Sequence, residues 1–127
     1  MDNLKLLLVD DDPMVQKLVV HYLEDLNFDI TVAKDGYEAI SELSESRFDL
    51  IVLDSAMPYF SGLQVLKKME GRQGFADTQV IILSAENEKE KIFKFFEQGI
   101  ADYIIKPPKK EDFIKRISKV LLKKAAG

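Results

Sequence analysis

The chain has 127 residues, 46% hydrophobic and 31% charged, a balance that fits one globular domain and excludes wholesale disorder. It holds no cysteine, which excludes disulfides, thiolate metal sites and a cysteine nucleophile and accords with a reducing cytoplasm. No apolar run approaches the ~18 residues of a membrane span, and the net charge of -4 gives no reason to expect nucleic-acid binding.

Leu4 to Val9 is an almost continuous apolar run that reads as a buried strand and stops at Asp10. Asp12-Pro13 follows, an N-cap and a first helical residue. Val15, Leu18, Val19, Tyr22, Leu23 and Leu26 then recur at helical spacing. Asp29 to Ala33 is a second strand, Asp35-Gly36 a turn, and Ala39, Ile40 and Leu43 mark a second helix. Leu50 to Leu53 is a third strand and stops at Asp54; Pro58 and Gly62 punctuate the loop before a helix with Val65, Leu66 and Met69.

Gln79 to Leu83 reads as a fourth strand ending at Ser84, and a helix around Ile92, Phe95 and Phe96 closes at Gly99. Adjacent phenylalanines cannot both face the core, so one of them is expected at the surface. Tyr103 to Ile105 is a fifth strand, ending at Lys106-Pro107, and Phe113, Ile117, Val120 and Leu121 define the last helix. Residues 106–124 carry eight Lys/Arg against Glu111 and Asp112, a local +6 that leaves -10 for the rest. This reads most simply as a solvated face with cations toward a helix C-terminus, where the macrodipole favours them. The terminal Ala125-Ala126-Gly127 is expected to fray.

Five strands alternating with five helices predict an α/β fold, a parallel sheet covered on both faces and built as one domain over residues 1–127. In such sheets function gathers at the carboxyl ends of the strands. Asp10 and Asp11, Asp54, Ser84 and Lys106 all stand there, each directly after an apolar run. Converging carboxylates repel one another unless a cation relieves them, and Mg²⁺ binds through one or two carboxylates with waters and phosphate. An ionised Asp54 is then a nucleophile toward phosphorus, with Ser84 and Lys106 available to the phosphoryl oxygens. His21, the only histidine, lies mid-helix and is expected to be an ordinary helix residue.

The chain resembles a receiver domain of two-component response regulators over nearly its whole length. The matching residues are Val9-Asp10-Asp11, Asp35-Gly36-Tyr37-Glu38-Ala39, Asp54 with Met57-Pro58 and Gly62, Ser84-Ala85, Gly99 and Asp102-Tyr103-Ile104-Ile105-Lys106-Pro107. The resemblance implies a flavodoxin-like, three-layer, doubly wound sheet of order 2-1-3-4-5. It implies that Asp54 is the phosphoacceptor, fed by a sensor histidine kinase or histidine phosphotransfer protein. Mg²⁺ would be held by Asp11, Asp54 and the Ala56 carbonyl, and by Asp10 through water. Lys106 would contact the phosphoryl group, with its bond to Pro107 cis.

Ser84 and Tyr103 match a switch pair, the hydroxyl moving to the phosphate and the ring turning inward behind it. The face made by the fourth helix, fifth strand and fifth helix would then signal to a partner or an output domain, in a monomer or a weak dimer. No direct contact with membrane or nucleic acid is implied. Because no output domain follows, the chain is expected to be either a free-standing receiver or one cut from a longer protein.

Some positions depart from the family pattern: Ser61 where aspartate is frequent, small residues at Ser55 and Ala56, and Pro108 for a common aromatic. Ala56 and Glu86 occupy the variable positions that tune phosphoryl lifetime. Three rival readings remain. Asp10-Asp11-Asp12 also opens haloacid-dehalogenase-like phosphatases, with Asp10 as nucleophile and Asp12 as acid/base, but Pro13 stands where that family wants Gly-Thr. A flavodoxin-like topology could hold FMN, though no loop here is shaped for its phosphate. An adaptor that no longer takes phosphate would not need the full set of acids, hydroxyl and lysine.

Overall fold

The computed structural model describes residues 3–70, 75 and 77–126, the last three in backbone only. Five strands, β1 (Leu4–Val9), β2 (Phe28–Ala33), β3 (Leu50–Asp54), β4 (Gln79–Ser84) and β5 (Asp102–Ile105), form one sheet. They alternate with five helices, α1 (Pro13–Leu23), α2 (Gly36–Glu45), α3 (Gly62–Met69), α4 (Lys89–Glu97) and α5 (Lys110–Ala126). Every pairing is parallel and the order is β2-β1-β3-β4-β5, as expected.

Strand periodicity divides the core in two. Leu6, Leu8, Leu50, Val52, Ile81, Leu83 and Ile104 point to one face, where Val19 and Leu23 of α1 and Phe113, Ile117 and Val120 of α5 cover them. Leu7, Val9, Ile51, Leu53, Val80, Ile82 and Tyr103 point to the other, beneath α2, α3 and α4. Burial on both sides is why these strands read as continuous apolar runs instead of alternating ones.

The element ends differ from the sequence-based expectation in small ways with physical causes. Asp54 and Ser84 do not follow their strands but end them, because their backbones still sit in the ladder opposite Leu83 and Ile105. The Asp35-Gly36 turn leads directly into α2: Asp35 caps the helix, its Oδ1 accepting the Glu38 N–H at 2.8 Å, and Gly36 is the first helical residue. Leu26 falls past the end of α1, in a turn where its N–H bonds the Leu23 carbonyl. Gly99 adopts φ +90°, the left-handed conformation that closes α4. Of the residues expected to fray, Ala125 and Ala126 belong to α5, and Gly127 lies outside the described residues.

Phe95 is buried and Phe96 is 44% exposed, as two neighbours on one helix must be. The lysines of α5 from Lys110 to Lys123 are solvated, while Arg116 pairs with Asp102 at 3.1 Å and Asp112 at 3.0 Å. No helix among the described residues is long and apolar enough to cross a membrane.

Candidate functional site

The topology brings the carboxyl ends of β1, β3, β4 and β5 to one rim, and the candidate residues meet there. Asp10, Asp11 and Asp54 each offer a carboxylate oxygen, and these oxygens lie within 4.8 Å of one another. Asp10 and Asp54 are buried and Asp11 is exposed. Lys106 reaches over them from the end of β5, its Nζ 2.9 Å from Asp10 Oδ2 and 3.5 Å from Asp54 Oδ2. Its peptide bond to Pro107 is cis.

Local hydrogen bonds hold each buried acid. Asp10 Oδ1 accepts the Asp12 N–H at 2.9 Å, and Asp12 in turn caps α1 by accepting the Met14 N–H at 2.9 Å. Asp54 Oδ1 accepts the Ala56 N–H at 3.2 Å. The loop after β3 is pulled tight against the site by a Gly62 N–H to Ser55 carbonyl bond of 3.1 Å. Only glycine permits this approach, since a Cβ at Gly62 would sit 2.5 Å from the Asp54 carbonyl oxygen. Ser61, in place of the frequent aspartate, is the N-cap of α3 and forms a reciprocal capping box with Gln64.

The electrostatics are unbalanced. Burial raises the Asp54 carboxyl from the ordinary 3.8 to about 6; the Ala56 N–H and Lys106 pull it down, and the Asp10 and Asp11 charges push it up. Burial also pushes the Lys106 ammonium down, but its bond to Asp10 and the charges of Asp54 and Asp10 outweigh this and raise it above the ordinary lysine value. One ammonium faces three carboxylates, a deficit of two positive charges. Among the described residues the buried Asp10 Oδ2 accepts no backbone or neutral side-chain hydrogen bond and pairs with the Lys106 ammonium. An all-oxygen donor set with that deficit fits a hard divalent cation such as Mg²⁺.

Ser84 ends β4, Tyr103 lies within β5 opposite Ile82, and the two are linked through one residue. Ser84 Oγ accepts the Glu86 N–H at 3.0 Å, and the Tyr103 hydroxyl donates to the Glu86 carbonyl at 2.8 Å. The Tyr103 ring is already buried, at 7% exposure, and packs tilted against Phe95 with centroids 6.0 Å apart.

Three positioning contacts have no counterpart among the sequence-based expectations. The Gln16 side chain donates to the Asp10 carbonyl at 2.7 Å, and the Tyr22 hydroxyl donates to the Pro108 carbonyl at 3.0 Å. The Ser55 hydroxyl bonds that of Ser84. The Tyr22 and Ser55 contacts join segments that only the fold brings together, while Gln16 reaches back from α1 to the end of β1; the sole advance signal was a small polar residue directly after Asp54. His21 is exposed near the end of α1, 3.2 Å from Glu24, and takes no part in the site.

A family model described as the response regulator receiver domain matches residues 6–118. The transcriptional regulatory protein ResD of Bacillus subtilis is 36% identical over 122 residues; the match covers 96% of this chain but only 49% of ResD. The chemotaxis protein CheY-3 of Vibrio cholerae is 34% identical over 106 residues, covering 83% of this chain and 82% of CheY-3. The solved structure of Vibrio cholerae CheY4 superposes with a TM-score of 0.86 at 29% identity, over 93% of this chain and 98% of that one.

Proposed function

The chain belongs to the response regulator receiver family of two-component systems, and on that premise we propose that Asp54 accepts a phosphoryl group from a sensor histidine kinase or histidine phosphotransfer protein. The observation that carries this reading is the meeting of Asp10, Asp11 and Asp54 within 4.8 Å under the Lys106 ammonium. Neither the dehalogenase-like nor the FMN-binding alternative is favoured by any contact at this rim.

In the proposed reaction an Asp54 carboxylate oxygen attacks phosphorus as the bond to the donor nitrogen breaks, leaving an acyl phosphate and a neutral imidazole once a proton returns to it. Lys106 supplies positive charge to a phosphoryl oxygen, and Ser84 donates a hydrogen bond to another. Asp11, Asp54 and the Ala56 carbonyl would hold Mg²⁺, with Asp10 acting through water. The bound ion would supply charge neutralisation for carboxylates and phosphoryl oxygens alike.

Close beside Lys106, an apolar groove lined by Met14, Val15, Leu18, Pro107 and Pro108 offers the donor protein a place to seat. Phosphorylation then acts on the α4-β5-α5 face through Ser84 and Tyr103. On that face Phe93 and Ile105 are 67% and 41% exposed, supporting contact with a downstream protein, an output domain or a weakly bound second copy. The proposed setting is the cytoplasm, where phosphodonor kinases act.

Intact-mass measurement with acetyl phosphate and Mg²⁺ tests the reading. The native chain should gain one phosphoryl group and Asp54→Ala none. A native chain that stays unmodified, or an adduct undiminished in the variant, overturns it.

A further inference from the structure

The last register pair between β3 and β4 is Asp54 with Leu83, so Ser55 and Ser84 face each other one step further on. Both are buried, at 7% and 1% exposure, and their hydroxyls hydrogen-bond. The Ser55 backbone is held by its carbonyl, which accepts the Gly62 N–H at 3.1 Å. Among the described residues the Ser55 hydroxyl has no other hydrogen-bond partner, whereas Ser84 Oγ also accepts the Glu86 N–H.

A serine hydroxyl carries a single proton. Either hydroxyl can be the donor in this pair, because Ser84 Oγ keeps a second lone pair while it accepts from Glu86. In either arrangement, movement of Ser84 Oγ toward a phosphoryl oxygen on Asp54 takes it away from Ser55 and breaks their bond.

We infer that Ser55 is a positioning residue that holds the Ser84 hydroxyl in its resting direction, so that the switch proceeds only by breaking the Ser55–Ser84 hydrogen bond. The inference rests on Asp54 being the phosphoacceptor. The small residue after Asp54 thereby sets how strongly the phosphoryl group must compete for Ser84. Two costs oppose the activated state, the lost hydrogen bond and a buried Ser55 hydroxyl left without a partner. Removing the Ser55 hydroxyl abolishes both while leaving Asp10, Asp11, Asp54 and Lys106 in place.

The test is titration of the full chain with beryllium fluoride in excess Mg²⁺, followed by the amide spectra of Glu86 and Tyr103. Ser55→Ala should reach half-saturation at a concentration about 2- to 10-fold lower than the native chain, the range that one hydrogen bond's net contribution implies. Ser55→Cys, with similar volume and a poor acceptor, should shift the same way and serves if alanine disturbs folding. In a Ser84→Ala background the Ser55 substitution should have no effect, a result that a merely structural role for Ser55 would not produce. Half-saturation unchanged or raised in Ser55→Ala, or an equal shift in the Ser84→Ala background, overturns the inference while leaving the phosphoacceptor reading intact. A native chain that does not respond at all defeats the phosphoacceptor reading, and this inference with it.

Discussion

Replacing the central acid should make the metal-free protein more stable. Folding raises the Asp54 carboxyl from 3.8 to about 6, chiefly because the group is buried. A carboxyl that holds its proton more tightly in the folded state destabilises the fold as pH climbs from 3.8 to about 6; the full cost applies above that interval and none below it. At about 1.4 kcal/mol per pH unit, that interval is worth about 3 kcal/mol. The attraction of Lys106 is already contained in this figure, so the value is net.

Asp54→Asn removes the charge, keeps an oxygen for the Ala56 N–H and leaves Lys106 its 2.9 Å pairing with Asp10. Urea unfolding in a chelator at pH 8 should show a gain of about 2–3 kcal/mol, a midpoint about 1 M higher at ordinary slopes. At pH 4.5 only about a third of the gain should remain. Mg²⁺ should raise the native midpoint by neutralising the same buried charge, and should do less for the variant. An Asp54→Asn midpoint at or below the native one at pH 8, or a gap that ignores pH, would refute the claim that this pocket is held together against its own charge.

Gly62→Ala forces a Cβ to 2.5 Å from the Asp54 carbonyl and 3.0 Å from Ser55 Cα, so it should destabilise by about 1–3 kcal/mol and slow phosphorylation by displacing Asp54. Unchanged urea midpoints would show that the loop yields freely. Phe113→Ala empties a fully buried position packed on Tyr22 and should cost about 3–5 kcal/mol, read from the same unfolding curves; a loss of less than about 1 kcal/mol would mean that α5 collapses into the space. Lys106→Ala should preserve most of the Mg²⁺-dependent stabilisation yet weaken the spectral response to beryllium fluoride. A response as full as the native chain's would contradict its contact with the phosphoryl group.

Much of the scaffold is legible from the chain alone because burial on both faces leaves a plain trace. Leu6 to Val9, Leu50 to Leu53 and Val80 to Leu83 must be apolar on both sides of the sheet, so they stand out without an alignment. Asp12-Pro13 and Gly99 likewise announce helix ends through local chemistry. Where expectation and structure part, at Leu26 and the exact strand ends, the deciding interaction is one hydrogen bond or one ladder pair that composition does not reveal.

The sequence by itself determined which side chains reach the rim, since each of Asp10, Asp54, Ser84 and Lys106 stands at the end of an apolar run and parallel strands send those ends the same way. Tertiary structure alone decided what they do to one another. Residues far apart in the chain become neighbours, so that Lys106 lies against Asp10 and Ser55 bonds Ser84, while Tyr103 is turned into the core toward Glu86. Burial and the distance between charges, which set the carboxyl of Asp54 at about 6, are properties of that meeting and belong to no residue alone.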